Sequence, residues 1–412
     1  MNKIAIIGGG ASGLMAAITA AGEGCQVDLF EQNEKVGKKI LASGNGRCNI
    51  SNRNLSIIDY FGQHPDFSTF ALKQYSFEEF EKFCRSLGLL LETKEDGKVY
   101  PLSNDAQSVV AAFENFALGL GVKIFTNHSI TSVEKISGLF ELLSNDNTYK
   151  GYHKALIATG SEAAPHLGGN NSGYRFASGF GLKIEQTYPS LVQLHIDSKS
   201  HYRMAGVKQN GEVTLYVNGK PEARSEGDIL FTRYGISGFA ILDISQKASS
   251  TLRDLQNVSI GVNLIPQFDH QSLTAQITKI AKSLPNYTLS MLLNGFLTIK
   301  IVPHLLKDAQ INGELKGKEL STKMIKKVVH QLQNWRFKIT DTHGFRHAEV
   351  SGGGVSSDAI DSKTMEAKEV SGLYFSGEVL DIVGKRGGYN LHFAWASGYL
   401  AGKALASKLM ER

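Results

Sequence analysis

At 412 residues and 42% hydrophobic, the chain exceeds what one core comfortably supports, so two or three domains and a large buried ligand site are expected. Its 44 basic and 39 acidic residues are read as mixed along the chain, leaving a net +5 that steers nucleic acid little, so no nucleic-acid partner is expected. Cys25, Cys48 and Cys84 form no CxxC pair, which points to a reducing compartment and no metal. No apolar run reaches a membrane-spanning length and no cleavable leader precedes residue 4, so the expected location is cytoplasmic, with no membrane partner.

The first residues read as a βαβ unit: a buried strand at 3–7, a glycine turn, an Ala-rich helix over 14–23 and a second strand at 26–31. Gly8, Gly10 and Gly13 form GxGxxG between strand and helix, where glycine permits a tight turn and lets a pyrophosphate approach the helix amides. Glu31 ends the second strand, where a carboxylate can accept from both ribose hydroxyls and repels a 2′-phosphate. The adenosine cofactor is therefore FAD or NAD.

Lys38, Lys39 and the run from Ser43 to Asn49 (SGNGRCN) are denser in cations and glycines than a simple crossover helix needs. An extended FAD explains them: its ring lies against backbone while Arg47 or a lysine offsets phosphate charge. Cys48 is the one tempting nucleophile, since the neighbouring Arg47 charge would lower its pKa, but packing is the favoured role. Helical spacing follows at 77–87 and 104–120, then a strand at 122–125. Three apolar runs at 130–134, 139–144 and 154–158 read as a meander, the last ending in Ala158-Thr159-Gly160.

From about residue 189 the texture becomes alternating strands, with a tight turn at Asn218-Gly219, and over 271–335 it is helical and Lys-rich. Near Ala348 the glycine-rich strand–turn–helix texture returns. Leu373 to Asp381 gives a strand and a carboxylate-bearing loop containing Gly377, Glu378 and Asp381; Gly384, Gly387 and Gly388 then open a helix at Tyr389 and Asn390. That helix is rich in small residues, and its N-terminus can stabilise negative charge on a reduced flavin. Glu378 or Asp381 can hold ribityl hydroxyls.

The segments 37–49, 157–160, 230–238 and 372–390 together resemble the BaiN-like, aminoacetone-oxidase-type family of NAD(P)/FAD-dependent oxidoreductases, over essentially the whole chain. The resemblance implies an α/β fold: a Rossmann-like FAD-binding domain (1–187 and 341–412) interrupted by an insert (188–340), with a β-barrel part at about 188–266 and a helical part at about 267–340. It implies FAD contacts at Gly8, Gly10, Ser12, Gly13, Glu31, Lys39, Arg47, Cys48, Ile130 (through backbone to adenine), Gly160, Glu378 and Asn390. Gln32, Asn49, Thr159, Gly377, Asp381, Gly388, Tyr389 and Leu391, beside these in the motifs, complete the expected cofactor set. Arg233 stands where members often have His, and Phe239 where they often have Pro. Members are associated with oxidation of small amino ketones by oxygen and with reduction of steroid enones.

The expected function is a FAD-dependent oxidoreductase with a tightly bound flavin, hydride transfer at N5, a small organic substrate, and NAD(P)H or oxygen as redox partner. Two alternatives stand beside it. One is a non-enzymatic redox sensor whose Lys316, Lys318, Lys323, Lys326 and Lys327 dock an acidic partner, although a solvated helix face explains those lysines more simply. The other is a NAD-dependent dehydrogenase, which leaves 372–390 without a purpose. Flavin-dependent RNA modification would require salt-sensitive RNA affinity. No general base is assigned, and His343, His347 and His392 are read as structural.

Overall fold

Short β-branched and aliphatic runs, each closed by glycine or a polar turn, build a five-stranded parallel sheet in the order Leu373–Phe375, Lys154–Ile157, Lys3–Ile7, Gln26–Phe30, Lys123–Phe125. The strands are buried on both faces, which is why they read as continuous apolar runs. The computed structural model describes residues 2–145, 147–198 and 201–407. The chain divides into two compact units, Met1–Tyr188 with Glu349–Arg412, and Pro189–Ala348.

In the first unit, the helix Ala11–Gly22 crosses the C-terminal helix Tyr389–Ala406 at backbone distance. A Cβ at Gly398 would collide with the Ser12 backbone, and one at Gly402 would lie 2.6 Å from the Thr19 Cβ. Lys154, on the sheet, is buried and caps the far end of the C-terminal helix: its ammonium donates to the Ala404 carbonyl at 2.9 Å and the Ser407 carbonyl at 3.0 Å. A cation is favoured there by the helix dipole, while burial holds the Lys154 pKa below its ordinary value.

The three-run meander needs correction. Leu139–Ser144 pairs with Ile130–Ile136 on one side and on the other with Thr148–Tyr152, a strand not expected from the sequence, whereas Lys154–Ile157 joins the parallel sheet. The Thr148–Tyr152 strand is half-exposed and polar, so it carries little hydrophobic signal.

The second unit is a closed barrel of six strands in the order Leu194–Asp197, Gly235–Ser237, Lys220–Phe231, Lys208–Val217, Val258–Asn263, Trp335–Thr342. The last strand follows the helices, so the helical part is itself an insertion between barrel strands, and residues 188–266 do not make a barrel alone. Alternation in Trp335–Thr342 puts Trp335, Phe337 and Ile339 inside, in a single core with the helix residues Ile325, Val329 and Leu332.

Gly398→Val should lower stability by about 3 kcal/mol through overpacking at the helix crossing, read as a lower urea midpoint with an unchanged slope. An unchanged midpoint would mean that the two backbones are not in contact.

Candidate functional site

The glycine turn sits at the carboxyl end of the first strand. Gly8 has φ +110°, and a Cβ there would strike the Ala158 carbonyl, while one on Gly13 would strike the Gly8 carbonyl. At Gly10 the same construction meets nothing within 4 Å, so the loop is packed behind and open in front. Gly10 gives the following helix no side-chain cap and the first turn holds no acid, which leaves its leading amides for an anion.

Glu31 is buried, and its carboxylate accepts from the Gly9 amide at 2.8 Å and from the Asn33 amide and side chain at 2.8 and 2.6 Å. It thereby ties the glycine turn to the end of the second strand, and Oε2 retains lone-pair capacity for a ribose hydroxyl. Gln32 turns to the segment 168–170, donating to the Gly168 carbonyl at 2.6 Å. His128 donates its amide to the Glu31 carbonyl at 2.9 Å, so the chain passes this strand end just before Ile130, which opens its strand buried.

Several residues read as cofactor ligands hold one another. Lys39 pairs with Glu378 at 2.9 Å, and the other Glu378 oxygen accepts from Ser161 at 2.6 Å and the Ser351 amide at 3.0 Å. Asp381 is buried and accepts from the Gln63 amide at 2.8 Å and the Gly353 amide at 3.1 Å. The Asn390 side chain brackets Gly384, accepting its amide at 2.7 Å and donating to its carbonyl at 2.9 Å. Asn49, with its amide nitrogen toward the Ser51 and Val99 carbonyls, accepts from the Gly388 amide at 3.3 Å. Gly388 has φ +96° against Ser51, the Tyr389 hydroxyl donates to the Asn54 carbonyl at 3.4 Å, and Leu391 packs on the core.

The result is a second helix N-terminus, at Gly388, with no side-chain cap and no acid in its first turn. Gly377, at φ +75°, packs against Ser12, joining the two helix starts. The Ser376 hydroxyl at the end of its strand is buried without a partner, and space is open at Gly10 and Gly160. Paired uncapped helix starts, an orphaned hydroxyl and open glycine faces fit a dinucleotide. The Thr159 hydroxyl, beside Gly173, is likewise buried without a partner.

Cys48 requires a correction. It is fully buried with φ +57°, and burial pushes its thiol up to about 12, while Arg47 is exposed over the Tyr100 ring and does not lower it. His392 is likewise buried: Nε2 donates to the Tyr75 carbonyl at 3.0 Å, so Nδ1 accepts from Ser51 at 2.9 Å. Burial holds its pKa down at about 4.

The second unit has a cluster that the sequence did not assemble. His195 and His343 share a hydrogen bond at 2.8 Å between ring nitrogens, Tyr234 stacks on His343 at 3.8 Å, and the His347 ring lies 4.1 Å away. Burial, then His347 and His195, hold the His343 pKa below its ordinary value. Such a pair can hold one proton and hand it on. Nothing in the spacing joins His195 to His343 across 148 positions. Among the described residues no group of His, Cys, Asp or Glu is arranged to hold a metal ion.

The family model described as the HI0933-like protein Rossmann domain matches residues 2–404. The chain belongs to the HI0933-like family. A 3-dehydro-bile acid delta(4,6)-reductase of Clostridium scindens is 34% identical over 410 residues, covering 99% of this chain and 100% of that protein. A ribosomal RNA dihydrouridine synthase of Escherichia coli is 33% identical, covering 97% of each chain. Among solved structures, a 3-ketosteroid delta1-dehydrogenase from Sterolibacterium denitrificans, in complex with 1,4-androstadiene-3,17-dione, shares the fold at TM-score 0.51 and 12% identity, covering 98% of this chain and 100% of that one. This HI0933-like protein is a FAD-dependent oxidoreductase, and no helix among its described residues is long and apolar enough to cross a membrane.

Two outcomes follow. Iodoacetamide should leave Cys48 unmodified in the native protein near pH 8, because almost no thiolate is present there; peptide mass spectrometry that found it alkylated first would show a reactive thiol. As pH falls from 6.5 toward 4, an unfolded histidine takes up a proton that folded His392 refuses, so stability falls, by about 3 kcal/mol in full. Urea midpoints at pH 7.5 and 4.5 should therefore diverge more in the wild type than in His392→Gln, and parallel losses would remove His392 from the pH response.

Proposed function

We propose that this protein reduces a carbon–carbon double bond conjugated to a carbonyl, with NAD(P)H as the source of electrons. The supporting observation is chemical. Two relatives with unrelated substrates, each matched over nearly its whole length, carry names that specify the same bond. A 3-dehydro, Δ4,6 bile acid is a conjugated dienone, and uracil becomes dihydrouracil by losing a double bond conjugated to its C4 carbonyl. In both, the carbonyl absorbs the charge left when hydride adds at the β carbon, and a proton completes the α carbon.

Bound FAD supplies the hydride chemistry such a reduction requires. The chain's own contribution is positional. In this reading the turn at Gly8, Gly10, Ser12 and Gly13 holds the diphosphate with its amides, Glu31 takes the ribose through its remaining lone pair, and Ile130 meets adenine through backbone. Gln32, Thr159 and Gly160 line the strand ends. Lys39, Glu378 and Asp381 fix the loops around the cofactor, with Arg47 and Cys48 on the facing segment. Asn49, Gly377, Gly388, Tyr389, Asn390 and Leu391 set the second helix start, whose dipole favours negative charge on the reduced ring. A buried Cys48 thiol removes the obvious thiolate nucleophile and leaves plain hydride and proton transfer.

The test is anaerobic. Holoprotein should bleach in its flavin band with NADH or NADPH, and regain colour on adding a 4-en-3-one steroid or a uridine-containing RNA, with the saturated product detected by mass spectrometry. Recovery of colour with oxygen alone, with both acceptors unchanged, would replace the reductase reading with an oxidase.

A further inference from the structure

Charge is not distributed as the whole-chain count suggests. Residues 267–340 hold eleven of the 44 basic residues but four of the 39 acidic ones, a net +7 against −2 for the rest of the chain. Within this stretch the helix Thr322–Gln333 buries Ile325, Val328, Val329 and Leu332 and turns Lys323, Lys326, Lys327 and His330 to solvent. That i, i+3, i+4, i+7 stripe is about 10 Å long, enough to meet successive phosphates of one strand.

Elsewhere in the second unit some cations are matched: Lys208 lies 3.2 Å from Asp228, and Arg253 lies 2.9 Å from Asp254. Among the described residues none of Lys307, Lys323, Lys326 and Lys327 has a carboxylate within ion-pairing distance. Unpaired like charges on one face repel, so a concentration of this kind is stabilised when a polyanion covers it.

The stripe ends at a cavity. His330 is both its last member and part of the lining of a space of about 490 Å³ that also includes Lys307, Gln310, Asn334 and Arg336. The one lining carboxylate, Asp308, is already engaged by the Trp335 indole at 2.9 Å. The Arg336 guanidinium carbon lies 3.4 Å from the centre of the Tyr216 ring, a cation–π contact that holds the charged group at this place. Ammonium, guanidinium, imidazole and amide donors around one hollow are the set that binds phosphodiester oxygens and sugar hydroxyls.

We infer that the helical part of the second unit is a docking surface for an RNA backbone, gripped along Lys323, Lys326, Lys327 and His330 and into the cavity at Lys307 and Arg336. An acidic protein or an anionic membrane would answer the charge but has no use for a hollow lined by amide donors. The surface does not depend on which acceptor is reduced, so binding and turnover can fail separately.

The experiment uses the full-length holoprotein and a fluorescein-labelled RNA stem–loop, read by anisotropy from about 50 to 200 mM KCl. Wild type should bind with steep salt dependence. Lys323→Gln/Lys326→Gln/Lys327→Gln should lower affinity at least tenfold and reduce the log–log salt slope by about 2, at 0.7 per lost contact. Lys307→Gln should act in the same direction with a smaller change in slope. All substituted side chains are exposed, and an unchanged flavin spectrum and melting temperature would show that the variants fold. Equal RNA affinity in wild type and variants would overturn the inference. So would retention of polyglutamate or phosphatidylglycerol vesicles by a wild type that does not bind the RNA.

Discussion

The first unit depends on two helices, one near each end of the chain, meeting backbone to backbone. Gly398 and Gly402 leave no room for a Cβ against Ser12 and Thr19, and Gly377, just ahead of the second helix, packs on Ser12, so two helix starts come to lie at the carboxyl edge of the same sheet. Each start is uncapped by a side chain, and each contributes amides that have no partner within its helix. A cofactor with a diphosphate at one end and a ring that gains negative charge on reduction is matched by both features. With larger residues at the crossing, the two starts could not approach, and the open face at Gly10 would have no counterpart.

Around that crossing the chain uses carboxylates as clamps. Glu31 gathers three donors, Glu378 three and Asp381 at least two, so each anion is offset by N–H and O–H groups or by the Lys39 ammonium. Such groups define loop geometry sharply, because removing one donor leaves a charge in a medium that solvates it poorly. The loops at 161, 351 and 378 are far apart in sequence and share the single Glu378 carboxylate. A role in holding these loops together therefore follows from the contacts themselves, before any ligand is considered.

What could be read from the residues was whatever is local. GxGxxG between a strand and a helix, the carboxylate at the next strand end and the glycine-opened C-terminal helix each lie within about one structural element, where turn chemistry and periodicity are decisive. The partners of Glu378 and Asp381 were invisible because the same residue types serve as ligands or as clamps, and the distinction is made by donors that lie from 27 to 339 positions away. Thr148–Tyr152 escaped because it is half-exposed, and the barrel's closing strand escaped because it follows the helices. The His195–His343 pair has no local signature at all. The Lys-rich texture of 271–335 was legible, but a whole-chain count averages away the size of the excess in 267–340.

The same division bears on how relatives with different substrates share one scaffold. Every residue proposed to hold the cofactor lies in the first unit, and the cofactor's needs are the same whether the acceptor is a steroid or a nucleobase. Differences in acceptor are then free to reside in the second unit, where this chain places Arg233 at a position the family often fills with His. The two side chains are not interchangeable. Histidine gives up its proton near neutral pH and can serve as an acid, whereas arginine stays charged at any pH the protein survives and can only bind. Beside it, the His195–His343 pair is the imidazole couple of this part of the barrel, with burial and the His347 ring holding the His343 pKa below its ordinary value.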